Sequence, residues 1–552
     1  MSSSGLSATD SASRRILWPA GLSRHRWPLA LAALVVLTVL SRLPFRSQLP
    51  FTWDSVNYIL ALSDFDVRLH QPHPPGNPLY VLAAKGFALA IDEPNQALVW
   101  TSIFFAALAV VGTALLGAEL WGRNVGVSAA LLLLVNPLFW LYSEVAVPYT
   151  AEAVASLAVG LAVWRCRTHP GRHNAAVLGL ALALAGGLRP TVLVLLGPLA
   201  LFGLLPLGWR QRALALAVAG TLSLAWAVPL VALSGGPVQY WQSLRAISSR
   251  QVAESSLLNG FSSYWLLNLR HLASALVIGI LPVAAVAAYP FFRGGRLPDL
   301  RRNVWLFLGL WIVPPLVFFF AVHFGQWGYF LLILPASSAL AAALLLQAWN
   351  PKRPAWQTRV PFLLLLASQI LAAVVFQRIA IVQHEAVWRA VLAVFQGFSP
   401  TDTVILTPSE YAAEFRLAGY LLPEYRVIGV SHGLDQQWGA VIESQHRRLA
   451  PIDTRTQSHE LTRTRQQPAT AQVYCPSAKM LVVLGEALQR RIDNRATWQR
   501  VDLPADRALY FYAVSRPVCV EFSEGRLHLI ELRAGEENQM RASGHAIVSS
   551  LW

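Results

Sequence analysis

Long apolar runs alternate with short basic clusters along the first two-thirds of the chain. The runs at 29–40, 129–135 and 363–376 carry almost no charge. A helix crosses a bilayer in about 17–25 residues, and several apolar stretches reach that length. The pattern predicts spans near 27–45, 97–119, 125–142, 148–164, 174–189, 191–207, 213–233, 271–292, 304–322, 330–348 and 360–376. That makes about eleven crossings, with eleven to thirteen left open by segment 78–92. This segment is short and holds Lys85 in its middle, so a helix lying along the membrane surface is expected there. Prolines inside spans, such as Pro229, Pro314 and Pro315, are tolerated because neighbouring helices re-satisfy the backbone.

Composition agrees with a lipid-facing surface. Of 552 residues, 55% are hydrophobic and 13% charged, against about 25% charged in a soluble domain. The net charge of +15 would suggest nucleic acid in a soluble protein. Here the basic residues fall between apolar runs, so membrane topology accounts for them and no nucleic-acid partner is expected. Basic residues collect on the cytoplasmic side. Placing Arg24–Arg26, Arg123, Arg165–Arg172, Arg210–Arg212, Arg293–Arg302 and Lys352–Arg359 inside gives a consistent path. It makes residues 1–26 a cytoplasmic tail and 27–376 the membrane module. Residues 377–552 become an extracytoplasmic soluble domain on a plasma, or bacterial inner, membrane protein. The outer loops at 46–96 and 234–270 are the long ones, which suggests work at the outer face.

After Phe398 the pattern turns to mixed polar and apolar positions. Strands are expected at 403–406, 426–430, 480–484 and 508–514, with a helix capped by Ser409 running to about Leu421. A small α/β domain follows, read as a lid or acceptor-binding module. Cys166, Cys475 and Cys519 form no metal spacing. Cys475 and Cys519 fall where a disulfide is permitted, and sequence leaves their pairing open.

The most informative stretch is Trp53-Asp54-Ser55-Val56-Asn57-Tyr58, followed by Gln71-Pro72-His73-Pro74-Pro75-Gly76-Asn77-Pro78-Leu79-Tyr80. A carboxylate just after the first span, then a His-Pro-Pro-Gly turn, resembles the GT-C glycosyltransferases. The likeness is to the protein O-mannosyltransferase-like branch that includes the lipid A aminoarabinose transferases. It extends over 27–376 as topology and rests on 53–80 as residues. Members of the branch often carry Asp-Glu at the loop carboxylate, whereas here Ser55 follows Asp54.

The resemblance implies that Asp54 is the catalytic base. A positioned carboxylate can take the proton that an acceptor hydroxyl loses as it attacks, typically worth about 10²–10⁴-fold. The same residue could instead cap a helix beside Ser55. His73 either shapes its turn or sits near the donor phosphate. Relatives carry a second acid in a later outer turn; Glu144 and Glu152 both qualify, and Glu144 is preferred. Arg189 could pair with phosphate or snorkel at the interface. Arg245 and Arg250 could hold the carrier phosphate or decorate an amphipathic surface helix. His323, Gln326 and Tyr329 form a polar-aromatic turn of the kind GT-C enzymes place near substrate. Asp64-Phe65-Asp66 is a DxD-like pair that could take a divalent ion, but a solvated turn is the commoner meaning, and the branch implies no cofactor.

The expected activity is inverting sugar transfer from a polyprenyl-phosphate carrier to an acceptor hydroxyl or amine. The partners are then the lipid-linked donor, a protein, lipid or glycan acceptor, and membrane lipids. A transporter or flippase of lipid-linked sugars is the alternative. Transporters place charges near mid-depth, often in two repeated halves; no repeat is visible here.

Overall fold

In lipid, every backbone amide must be satisfied within its own segment, so apolar runs fold as helices. The computed structural model describes residues 26–292, 302–347, 356–408, 413–432, 438–444, 472–474, 478–516, 518–523 and 526–532. The chain forms two compact units. The first contains the chain to Gln48, Tyr58–Val67 and Gln71–Ile379; the second contains Leu49–Asn57, Arg68–His70 and the chain from Ala380.

The first unit is a bundle of apolar helices, and the protein is an integral membrane protein. Among the described residues, helices Arg26–Phe45, Pro94–Trp121, Trp209–Leu233, Arg302–Ala321 and Arg359–Phe395 are each long and apolar enough to cross a bilayer. Other expected spans are broken. The 125–142 run splits into helices Arg123–Leu134 and Pro137–Tyr142. Asn136 causes the split: its side-chain oxygen caps the second helix at Leu138 N (3.1 Å) and Phe139 N (3.3 Å). Its amide nitrogen donates to Gly279 O at 2.7 Å, at the end of a further helix, Ser263–Gly279. That helix bends by 50° into the next apolar piece, so the single crossing expected at 271–292 is two helices. The 191–207 run breaks at Leu196, with Gly197 and Pro198 opening helix Gly197–Leu204.

The long outer loop expected at 234–270 is largely helical, as the amphipathic option for Arg245 and Arg250 allows. Helix Pro237–Ser255 occupies its first half, and Ser262 caps the next helix through Trp265 N. Its polar composition gave no span signal, yet polar residues at helical spacing still form a helix beside a membrane. Helix Pro78–Ala88 has 11 residues, about 16 Å at 1.5 Å per residue, too short to cross alone.

In the second unit the tail builds a six-stranded sheet in the order β3-β2-β1-β5-β7-β6. The strands are β1 Thr403–Pro408, β2 Arg426–His432, β3 Trp438–Ser444, β5 Met480–Val483, β6 Gln499–Leu503 and β7 Arg507–Ala513. β1 pairs in parallel with β2 and β5; the outer pairings are antiparallel. β4 Gln472–Tyr474, β8 Val518–Ser523 and β9 Arg526–Glu531 make a small antiparallel sheet. Val404, Leu406, Ile428, Leu481 and Val483 pack as the core with Leu488 and Trp498. Helix Ala413–Leu421 connects β1 to β2, as a parallel pair requires. Ser409, the expected cap, lies outside the described residues. Cys519 is buried and disulfide-bonded, Cys166 is free, and Cys475 lies outside the described residues.

Candidate functional site

In the second unit, Asp54 stands in the first turn of helix Trp53–Ser63 and is 4% exposed. The helix does not need it as a cap. Ser55 N donates to Thr52 Oγ1 at 3.4 Å, and Thr52 N donates back to Ser55 Oγ at 3.3 Å. This reciprocal pair is a capping box built on Thr52. The segment before it is fastened to helix Gln383–Phe395: His384 Nε2 donates to Pro50 O at 3.0 Å, and Leu49 N donates to Glu385 at 3.4 Å. The Trp53 ring lies 6.2 Å from that of His70. From helix Ala413–Leu421, buried Arg416 donates Nη2 to Leu69 O at 2.8 Å. Burial pulls its guanidinium down to about 10, against the opposing charge of Asp54.

In the first unit a second cluster gathers around Arg189, at the C-terminal end of helix Arg172–Leu188. Its guanidinium pairs with Glu152, in the first turn of helix Tyr149–Thr168. It lies 4.4 Å from the Tyr329 ring centroid and 5.6 Å from that of Tyr149, a cation–π arrangement. Tyr149 Oη donates to Gln326 Oε1 at 2.9 Å. His323 completes the group, its ring 6.0 Å from Tyr329 and its Nδ1 2.9 Å from Ser255 Oγ. That hydroxyl donates to Val322 O at 3.0 Å, so the ring nitrogen is the donor toward it. Burial, then the Arg189 charge, push His323 down to about 4.

The His-Pro-Pro-Gly turn is tied to the same cluster. Gly76 N donates to His73 O at 3.0 Å, and Gly76 takes φ +80°, which glycine adopts without strain. A Cβ there would also sit 2.9 Å from Leu230 Cδ1. Both Gln71-Pro72 and Pro74-Pro75 are cis. Tyr240 Oη, on helix Pro237–Ser255, donates to Pro75 O at 2.9 Å. Asn77 accepts from Tyr58 Oη at 2.9 Å and donates to Leu188 O at 2.8 Å, the carbonyl just before Arg189. The His73 ring stands edge-on to Tyr58 at 5.9 Å.

Of the residues singled out from sequence, Arg189, His323, Gln326 and Tyr329 therefore meet, with His73 linked through Tyr58 and Asn77. Glu152, ranked second to Glu144, is the acid that meets Arg189. Glu144 is wholly buried elsewhere, beside Arg42, and burial pushes its carboxyl up against the effect of that cation. Arg42 itself donates to Leu134 O at 2.6 Å and lies 4.3 Å from the Trp140 ring centroid. Arg245 is exposed on helix Pro237–Ser255, and the Arg250 side chain lies outside the described residues. Asp64 is exposed and Asp66 buried, its backbone paired with Gln71. No group of three or more metal-ligating side chains occurs among the described residues. Sequence reading missed Arg416, Arg42, Tyr149 and Asn77. A charge in an otherwise apolar helix face was the available signal for the two arginines.

No family model and no curated protein matches the chain. Solved structures do. ArnT from Cupriavidus metallidurans bound to undecaprenyl phosphate superposes with a TM-score of 0.56 at 12% identity, covering 89% of this chain and 99% of that one. The apo form of the same protein gives 0.54 at 12% identity, over 88% and 98%. The archaeal oligosaccharyltransferase AglB from Archaeoglobus fulgidus, in complex with an inhibitory peptide and a dolichol-phosphate, gives 0.48 at 13% identity, over 83% and 69%. At these identities the ArnT superpositions speak for architecture alone, and they do so across nearly the whole length of both chains. The chain has the GT-C fold, with a small C-terminal sheet domain.

Proposed function

We propose that the protein is an inverting glycosyltransferase that moves a sugar from a polyprenyl-phosphate carrier to an acceptor hydroxyl or amine at the outer face of the membrane. The observation that carries this reading is a buried carboxylate, Asp54, set at the start of a helix that Thr52 already caps. A buried carboxylate at this place is a candidate for proton transfer. In the step proposed, the acceptor oxygen or nitrogen bonds to the anomeric carbon and its proton passes to Asp54. The bond from that carbon to the phosphate oxygen breaks, and polyprenyl phosphate leaves with the electron pair. A single displacement inverts the anomeric centre.

The leaving phosphate carries negative charge that needs donors in a low-dielectric setting. Arg189 suits that role: it is fixed by Glu152 and flanked by two tyrosine faces. His73, His323, Gln326 and Tyr329, in the same unit as Arg189, are proposed to bind substrate. One of the solved structures with this fold holds undecaprenyl phosphate, which supports a carrier of that class here. The test is donor consumption by purified protein with a panel of polyprenyl-phosphate sugars. Asp54→Asn should lose at least about 10²-fold in turnover while its thermal unfolding stays that of wild type. Near wild-type turnover in that variant would remove Asp54 from the reaction.

A further inference from the structure

An asparagine inside a helix usually turns to solvent or bonds back to the preceding turn. Asn57, in helix Trp53–Ser63, does neither. It is wholly buried, and neither its Oδ1 nor its Nδ2 makes a hydrogen bond among the described residues. An amide has two N–H donors and an oxygen with two lone pairs, and burying them unmet costs the full loss of their hydration. The other buried asparagines are engaged. Asn77 bonds Tyr58 Oη and Leu188 O, Asn136 bonds Leu138 N and Gly279 O, and Asn268 bonds Phe319 O and Phe324 N. Asn95 bonds Ser47 O through its nitrogen. On the same helix, Ser55 pairs with Thr52 and Tyr58 with Asn77.

Helix spacing sets what surrounds the amide. Residues three and four apart share a face, so Trp53 and Asp54 lie one turn before Asn57 on its side of the helix. Asp54 is buried too, and the Trp53 ring has His70 beside it at 6.2 Å. All four residues belong to one compact unit. Buried polar groups in proteins are paired, so an amide without a protein partner is fitted to a ligand. We propose that Asn57 is a further substrate-binding residue, whose amide takes a carbohydrate hydroxyl about one helical turn from the base; this rests on the reading of Asp54 above. A hydroxyl both gives and takes a hydrogen bond, as the amide does. A few polar groups beside an aromatic ring are what fix the orientation of a bound small molecule. The hydroxyl belongs to the transferred sugar or to the acceptor, and the two sources behave differently when Asn57 is changed.

Wild type, Asp54→Asn, Asn57→Leu and Asn57→Ala would be purified in detergent. Undecaprenyl-phosphate mannose and glucose, with their single-deoxy analogues, would serve as donors and an envelope extract as acceptor source. In Asn57→Leu, kcat/KM for transfer should fall about 10–100-fold. Its unfolding temperature without substrate should stay at or above that of wild type, because an apolar side chain of similar size replaces an unmet amide. Asn57→Ala should lose the same activity. Near wild-type transfer in both variants would overturn the proposal. So would an unfolding temperature in Asn57→Leu several degrees below wild type, which would make the amide a structural one. If the hydroxyl is on the donor sugar, wild type should disfavour one deoxy donor by about tenfold or more and Asn57→Leu should lose that preference. If it is on the acceptor, Asn57→Leu should keep donor hydrolysis in the absence of acceptor while losing transfer. Lost hydrolysis with the deoxy preference retained would overturn the proposal. Near wild-type turnover in Asp54→Asn would remove the base yet leave the deoxy comparison to decide Asn57. A wild type that consumes none of the donors would sink the transferase reading, and the unfolding temperature of Asn57→Leu would still separate a ligand-directed amide from a structural one.

Discussion

Arg189 is gripped by a carboxylate and two aromatic faces, and its side chain is 13% exposed against 4% for Glu152. Removing one partner of such a pair leaves an uncompensated buried charge, which costs about 3–5 kcal/mol. Arg189→Met is therefore expected to lower the unfolding temperature sharply. Adding Glu152→Gln to it should restore part of the loss, and thermal unfolding of both variants checks this. Nearby, His323 is held neutral by burial, its value depressed from 6.5 to about 4. The unfolded chain takes up a proton below about 6.5 and the folded one does not. Stability from this group is thus intact above 6.5 and declines as pH falls toward 4, by at most about 3 kcal/mol. His323→Gln should flatten that stretch of the stability profile, measured as unfolding temperature against pH.

At the scale of elements, close approach decides how the cluster is built. A Cβ on Gly328 would lie 2.2 Å from Tyr149 Cδ2. Gly328→Ala should push that tyrosine away from Arg189, cost about 1–3 kcal/mol and slow donor turnover; an unchanged unfolding temperature and rate would count against this packing. Helices such as Pro94–Trp121 were readable from sequence because an unbroken apolar run leaves the backbone one option. The break at Asn136 is only partly local: its cap on Leu138 and Phe139 is, but its bond to Gly279 joins it to a carbonyl 143 residues away. Helix Pro237–Ser255 gives no span signal because its composition is polar; Arg245, Arg250 and Trp241 mark it as a surface helix. In the tail, β1, β2, β5 and β7 were visible as apolar or alternating runs, whereas β4 has only three residues and β6 is almost wholly exposed along its length.

For the whole molecule, the scheme requires Asp54 on the outer side. Cysteine at exposed Ser63 should react with an impermeant maleimide in intact cells, while cysteine at exposed Arg210 should react only after permeabilisation. The opposite pattern would leave the reaction without a base on the side where the donor is presented. Background is low because Cys166 is buried and Cys519 is disulfide-bonded. Arg189, His323, Gln326 and Tyr329 could be picked out from sequence because charge or polarity at the end of an apolar run stands out. Arg416 carries a similar signal, a charge on an otherwise apolar helix face, but the carbonyl it binds lies 347 positions earlier in the chain.

The Asn77 amide is directional: its oxygen receives the Tyr58 hydroxyl and its nitrogen gives to Leu188. An aspartate of equal size would keep the first bond and set a second acceptor against the Leu188 carbonyl. Exchanging one NH₂ for an oxygen would thus prise the proline-rich turn from the strut that carries Arg189, with no change of bulk at all.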